Sequence, residues 1–117
     1  MKKYLAIYIG KQAELEQARK EVDEGKRVMM DPEGMKPWLD WFKAHEDSVV
    51  TTGGPLGRTK RVSPEGTSDI RNTLTGYTIV QAESHEAAAK LFENHPHFTL
   101  LPGNSIEIIE CLDIPGM

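Results

Sequence analysis

The sequence is poor in cysteine, in long apolar runs and in excess positive charge. Its one cysteine, Cys111, excludes an internal disulfide. No apolar stretch approaches the roughly 20 residues that a membrane-spanning helix needs, so we expect no contact with a membrane. The net charge of −4 argues against nucleic acid as a partner, because nucleic acid is bound mainly through clustered lysine and arginine.

The opening segment, MKKYLAIYIG, combines a basic start with an apolar run, as a secretory signal does. The run is short, however, and a charged segment follows it where a signal would have a small-residue cleavage site. We therefore expect a cytoplasmic protein in which this run is a buried strand. The length of 117 residues fits a single domain over residues 1–117.

Hydrophobic periodicity predicts strands that alternate with helices. The stretch Ser63-Pro64-Glu65-Gly66 has the residues that a type I turn favours, so we expect a small exposed hairpin there. Ser84 is a good N-cap for the last helix, and the proline after His95 should end that helix. The predicted strands cover residues 4–9, 48–52, 76–84 and 104–111, and the predicted helices cover residues 11–27, 31–47 and 84–95.

Two helix crossovers between strands of one sheet indicate an α+β fold, the ferredoxin-like βαββαβ sandwich, here with an inserted hairpin. Such a sheet carries helices on one face only, and its other apolar face has to be covered. A second copy of the chain is the simplest cover. We therefore predict a homodimer in which the two sheets face each other as a dimeric α+β barrel.

Four stretches resemble the YCII-related family, also called the DGPF family: KYLAIYIG, TGGPL, GYTIVQAESHEAAAKLFENHP and GNSIEIIE. Residues 10–33 match it poorly. The resemblance implies a ferredoxin-like fold that pairs as a dimeric α+β barrel, with a cleft between the sheet and the neighbouring elements. Most members of the family have no established activity.

Some members are thought to use a His–Asp pair for catalysis. Carried over by position, the resemblance places His95 where those members have the aspartate, directly before Pro96, and Trp38 at or beside the position of the histidine. Neither residue type is retained, and the Asp-Gly-Pro-Phe tetrapeptide is missing as well. The family's catalytic pair is therefore absent, and whether the protein is an enzyme stays open.

His95 is the candidate catalytic residue. A histidine titrates near neutral pH and can act as a general base when a carboxylate orients it. The alternative is a histidine at a helix C-terminus that is stabilised by the helix dipole. The sequence offers His95 no identifiable partner, and we favour the structural alternative.

The candidate ligand-binding residues are Trp38, Trp41, His45, Arg58 and His97. A tryptophan-lined wall beside the imidazole of His45 suits a flat aromatic ligand. The alternative, which we favour, makes Trp38 a core residue and Trp41 part of a dimer interface. Arg58 would attract an anionic ligand toward the cleft or belong to a solvated hairpin, and we expect His97 in a loop beside Phe98.

We predict no metal and no cofactor. The pair His95-x-His97 is a weak metal signal, and His45 has no second ligand close to it in sequence. The glycines at 53, 54 and 57 lack the Gly-Lys-Ser/Thr ending of a phosphate loop. Three functions stay open: a protein that binds a small organic ligand, a lyase or isomerase that uses His95 for proton transfer, and a dimeric scaffold. We favour ligand binding.

Overall fold

The computed structural model describes residues 1–10, 32–100 and 104–116. The predicted helix over residues 11–27 lies outside these ranges. Six strands and three helices are described: β1 (Lys2–Ile9), α1 (Pro32–Ala44), β2 (Val49–Pro55), β3 (Thr59–Ser63), β4 (Gly66–Ile70), β5 (Leu74–Ala82), α2 (His85–Leu91), α3 (His97–Leu100) and β6 (Ser105–Glu110). None of these helices is long and apolar enough to cross a membrane.

Four of the strands form an antiparallel sheet with the order β2-β5-β1-β6. The longest strands, β1 and β5, are its centre, and Leu5 lies between Ile79 on one side and Ile109 on the other. The strands β3 and β4 form a separate two-stranded sheet, which is the predicted hairpin. This arrangement is consistent with the predicted ferredoxin-like α+β fold.

Strict alternation along β1 explains why it lies at the centre of the sheet. Tyr4, Ala6 and Tyr8 are buried, whereas the residues between them are only partly buried. Successive side chains of a strand point to opposite faces of the sheet. The buried set therefore packs against α1 and α2, and the other set, which includes Leu5 and Ile7, lies on the face that these two helices do not cover.

The apolar face of α1 differs from the prediction. The spacing of Met35, Trp38, Leu39 and Phe42 predicts that these residues share the buried face, with Trp41 at its margin. Leu39 is instead 59% exposed, and Trp41 is buried in the core. Two sets of positions in this helix have the spacing i, i+3, i+4, i+7. The sets that start at Met35 and at Trp38 share Trp38 and Phe42, and the second one adds Trp41 and His45, the residue just after the helix. The second set packs, because the Trp41 indole buries more apolar surface than the Leu39 side chain would.

The strand β2 continues through the glycines that the sequence placed at its end. It runs from Val49 to Pro55, and its pairing with β5 shifts register between Thr51 and Gly54. Gly53 lies in this irregularity with φ +63°, a conformation that suits glycine. The bulge lets the strand extend past the predicted turn.

The helix α2 begins as predicted and ends earlier. The Ser84 side chain accepts a hydrogen bond from the backbone N–H of Ala87, which confirms the N-cap. The helix ends at Leu91, and the chain then turns through Asn94, which has φ 59°. His95 therefore lies after the helix, where its ring can turn inward to the core instead of following the helix end.

His85, the first residue of α2, lies on the outside of the fold. Its Nε2–H donates to the carbonyl oxygen of Ile108 at 2.7 Å, and its Nδ1 is 3.3 Å from the Glu110 carboxylate. These contacts join α2 to β6. His85 is exposed, in contrast to the two histidines that follow α2.

Candidate functional site: a buried cluster of aromatic rings and histidines

The cluster is built on Tyr8 of the central strand. The Tyr8 hydroxyl is 2.7 Å from Thr78 Oγ1. The Thr78 hydroxyl in turn donates to the carbonyl oxygen of Thr52 at 3.0 Å. Since Thr78 has one proton to give, Tyr8 is the donor of the first bond. Burial raises the pKa of Tyr8 to about 12, although the bond to Thr78 opposes this rise, so Tyr8 is neutral at physiological pH.

The helix α1 contributes two indole rings, and His45, directly after it, contributes an imidazole. The Nε1–H of Trp41 donates to the carbonyl oxygen of Leu91 at 3.2 Å, which ties α1 to α2. His45 stacks on Trp41 with ring centroids 4.4 Å apart and donates from Nδ1 to the Trp41 carbonyl oxygen. The edge of Tyr8 meets Trp38 at 4.7 Å.

His95 is the centre of the cluster and has no exposed surface. Its ring centroid is 4.7 Å from those of Trp38 and Trp41 and 5.2 Å from that of Tyr8. Its Nδ1 accepts a hydrogen bond from the backbone N–H of His97 at 3.0 Å. The proton of the neutral ring is therefore on Nε2, and this N–H has no partner among the described residues.

The surroundings of His95 keep it uncharged. Burial is the main cause that lowers its pKa from 6.5 to about 3, and His97 and His45 lower it further. Since Nδ1 already accepts a backbone proton, neither nitrogen has a lone pair available at neutral pH. In this geometry His95 is a hydrogen-bond donor.

His97 is buried as well, in contrast to the expectation of a loop residue. It begins the one-turn helix α3, and its Nε2–H donates to the carbonyl oxygen of Ile9 at 2.9 Å. Its ring lies 5.4 Å from Tyr8 and 6.1 Å from the predicted neighbour Phe98. The bond to Ile9 connects the segment after α2 to the end of β1.

Three side chains have buried polar atoms without a partner in the described part of the chain. They are Trp38, through Nε1, His95, through Nε2, and Asn104, through both atoms of its amide. Asn104 directly precedes Ser105, which pairs with Ile9, so it lies at the end of the sheet to which His97 is bonded. Buried polar atoms are almost always satisfied in native proteins, which makes these three residues unusual.

The structure thus brings together five of the six residues that the sequence singled out: Trp38, Trp41, His45, His95 and His97. The sixth, Arg58, lies in the exposed connection between β2 and β3. Sequence reasoning missed Tyr8 and Asn104. The alternation of β1 could have assigned Tyr8 to the inner face of the sheet, whereas an asparagine before a strand gives no comparable signal.

The geometry bears on two possible roles of the histidines, as a general base oriented by a carboxylate and as ligands of a metal ion. Within the described ranges, no carboxylate is hydrogen-bonded to His45, His95 or His97, so no described acid orients any of them as a base. No group of three or more metal-ligating side chains is arranged to hold a metal ion in the same ranges.

Neither a family model nor a curated protein matches the sequence. Among solved structures, one that is similar to this chain is the 5-chloro-2-hydroxyhydroquinone dehydrochlorinase from Burkholderia phenoliruptrix, in complex with 2,5-dihydroxybenzoquinone. The likeness covers 90% of each chain at 16% sequence identity, with a TM-score of 0.44. The strand order and the ring contacts define a small α+β protein with a four-stranded antiparallel sheet and a buried cluster of aromatic rings and histidines.

Proposed function

We propose that this protein is a YCII-like homodimer that binds a small, flat organic ligand among Trp38, Trp41, His45, His95 and His97. The observation that carries the proposal is the pair of N–H groups, on Trp38 and His95, that are buried without an acceptor among the described residues. A buried donor without a partner costs about 1–3 kcal/mol, so a ligand that supplies an acceptor would recover that free energy.

The residues around His95 have the apolar character of such a site. Tyr8, Trp38, Trp41 and Phe92 surround His95 with apolar ring surface. Small-molecule sites in proteins are mostly apolar, with a few polar groups that fix the orientation of the ligand. A flat ring that contacts these surfaces would bring an acceptor substituent to the N–H of His95 or of Trp38.

The structural alternative is that the N–H groups of Trp38 and His95 point at the faces of neighbouring aromatic rings. Trp38 and His95 meet edge to face, with centroids 4.7 Å apart and an interplanar angle of 82°. An N–H group above a ring is a weak hydrogen bond and only partly replaces a true acceptor. Under this alternative the cluster is packing alone and retains no ligand.

The alternative function, a lyase or isomerase that uses His95 for proton transfer, has less support. It requires His95 to transfer a proton, but its Nδ1 is occupied and burial lowers its pKa to about 3. A general base works best when its pKa lies near the working pH. The donor role of His95 needs no such titration, which is why we favour binding over catalysis.

The protein is expected to retain its ligand through purification. Untargeted mass spectrometry of small molecules released from the purified protein should find an aromatic compound enriched with the wild type. The same compound should be lost from His95→Phe, which removes the donor but keeps a flat ring. His85→Asn is the control, because His85 is exposed and its hydrogen-bond, ion-pair and ring contacts within the described ranges are to β6 and Tyr4, outside the cluster. Equal retention by all three proteins, or none by any, would refute the binding site.

The sheet face that α1 and α2 leave uncovered supports the proposed homodimer. Leu5, Ile7 and Ile79 are partly buried there, and Ile109 is 45% exposed. Leu5 pairs with both Ile79 and Ile109, so these side chains form one continuous apolar row across three strands. A second copy of the same face would cover it, as isologous dimers do.

Light scattering at micromolar concentration should give a mass twice the 13.1 kDa of the chain. Ile79→Lys should shift the mass to that of the monomer, because a charge in the middle of an apolar interface loses its water. Val62→Lys is the matched control, since Val62 is 78% exposed on the hairpin. A monomeric wild type, or a dimer that Ile79→Lys leaves intact, would contradict this arrangement.

A further inference from the structure

The uncovered face of the sheet carries one positive and one negative charge on the strands β1, β5 and β6. Lys3 lies on the same side of β1 as Leu5, because alternate residues of a strand face the same way. Glu107 lies on the same side of β6 as Ile109. Both charged residues are exposed. These three strands place no other charged residue on this face.

The two charges lie symmetrically about the pair that Leu5 forms with Ile109. Lys3 comes two residues before Leu5, and Glu107 comes two residues before Ile109. Since β1 and β6 are antiparallel, the two charges lie at equal distances on opposite sides of this pair. Ideal strand spacings put their Cα atoms about 14 Å apart, too far for an ion pair within one chain.

We propose that Lys3 forms an ion pair with Glu107 of the partner subunit, and that this contact sets the alignment of the two sheets. The inference rests on the homodimer of the proposed function and specifies how its two copies meet. A two-fold axis between the sheets, over the midpoint of Leu5 and Ile109 and roughly across the strands, places each lysine above the glutamate of the other copy. An isologous contact occurs twice, so the dimer contains two such ion pairs.

This alignment agrees with the ordinary packing of two sheets. With ideal strand spacings, the axis makes the strands of the two copies cross at about −40°, near the roughly −30° of aligned sheets. The sheets are then about 10 Å apart, a gap that a lysine and a glutamate side chain span together. Ile109, which is 45% exposed in the single chain, lies beside the axis and is covered by Ile109 of the partner subunit.

The ion pair selects this alignment more than it stabilises the dimer. Ion pairs near the rim of an interface contribute little affinity, whereas like charges that face each other are strongly unfavourable. Because each contact occurs twice, one reversed charge creates two repulsive contacts in the dimer. Reversal of either charge should therefore weaken the dimer much more than the loss of a single exposed ion pair.

Two charge-reversal variants, measured separately and mixed, test the inference. Lys3→Glu brings glutamate against glutamate, and Glu107→Lys brings lysine against lysine. Sedimentation equilibrium of the whole protein should give each variant alone a dissociation constant at least about tenfold higher than that of the wild type. An equimolar mixture should return to within about threefold of the wild-type value, because each copy then meets the opposite charge. The double variant, which exchanges the two charges within one chain, should dimerise as the wild type does.

Lys2→Glu and Glu110→Lys are the matched controls. They make the same changes of charge one residue and three residues away, but Lys2 pairs with Ala82 and Glu110 with Tyr4, both buried on the side that faces the helices. Each control should dimerise as the wild type does, alone or mixed.

The outcomes separate the inference from the proposed homodimer. A monomeric wild type overturns the homodimer and the ion pair with it. A dimeric wild type whose charge reversals leave the dissociation constant unchanged overturns the ion pair alone. The same holds if the mixture and the double variant both remain as weak as the separate variants, or if the controls weaken the dimer equally. Since Lys3 and Glu107 are exposed in the single chain, their variants are expected to fold.

Discussion

Gly53→Ala is expected to lower the free energy of unfolding by about 3 kcal/mol or more. Gly53 lies in the bulge of β2 with φ +63°. A left-handed conformation costs a residue with a side chain about 1–2 kcal/mol. The new Cβ would also lie 2.1 Å from the carbonyl oxygen of Tyr77, which is backbone of β5 and cannot turn away as a side chain can.

The clash would reach the cluster through β5. Tyr77 directly precedes Thr78, which holds the Tyr8 hydroxyl and donates to Thr52. A shift of β5 away from β2 would strain both bonds. Gly53→Ala should therefore weaken ligand retention as well as stability, even though Gly53 itself is not part of the cluster.

Gly54→Ala is the matched control for this effect. Gly54 is the next residue of the same strand, has no positive φ, and has no atom within 4 Å of the position that its Cβ would take. Urea unfolding of the two variants should give a large loss for Gly53→Ala and a change of less than about 1 kcal/mol for Gly54→Ala. Similar midpoints for both variants would show that the bulge does not have this geometry.

Acid is expected to destabilise the protein through His95 by roughly 4–5 kcal/mol between pH 6.5 and pH 3. The pKa of His95 falls from 6.5 in the unfolded chain to about 3 in the folded one, mainly because the ring is buried. Between these values the unfolded state binds a proton that the folded state does not. Stability therefore decreases as the pH falls, by about 1.4 kcal/mol per unit, and is fully present above pH 6.5.

The measurement is the free energy of unfolding from urea titrations at several pH values, in the wild type and in His95→Phe. The remaining titratable groups are the same in both proteins. The difference between the two curves therefore isolates His95. We expect the wild type to lose stability more steeply than the variant below pH 6.5. Parallel curves would mean that His95 is accessible to protons in the folded state.

Local patterns predicted those parts of the fold that local sequence controls. The alternation of β1 is visible because Tyr4, Ala6 and Tyr8 face one side of the sheet, and the Ser84 cap is a contact with Ala87, only three residues away. Both features depend on neighbours in the chain. The observed order of the four main strands, β2-β5-β1-β6, is consistent with the predicted fold class.

The cluster could not be predicted in the same way, because its contacts span the chain. Tyr8 and Thr78 are 70 residues apart, and Trp41 and Leu91 are 50 apart. The burial of His95 depends on rings from β1, α1 and α2 that meet only in the folded protein. Helix α1 adds an ambiguity of its own, since a face through Leu39 and a face through Trp41 have the same spacing.

The conformation of Gly53 could not be predicted either, because it also depends on long-range pairing. Gly53-Gly54-Pro55 has the composition of a turn, and the sequence contains nothing that distinguishes a turn from a bulge inside a strand. The pairing of Gly54 with Tyr77 settles which it is. Long-range pairing here overrides a strong local signal.

The most direct test of the binding site is the proton–nitrogen NMR spectrum of the two indole groups. The chain has two tryptophans, and the Trp41 indole donates to Leu91 whereas the Trp38 indole has no acceptor among the described residues. Addition of the compound that the protein retains should move the Trp38 signal downfield, as a new hydrogen bond does, and leave the Trp41 signal nearly unchanged. A Trp38 signal that does not respond to a retained compound would place the ligand elsewhere and contradict the role assigned to the cluster.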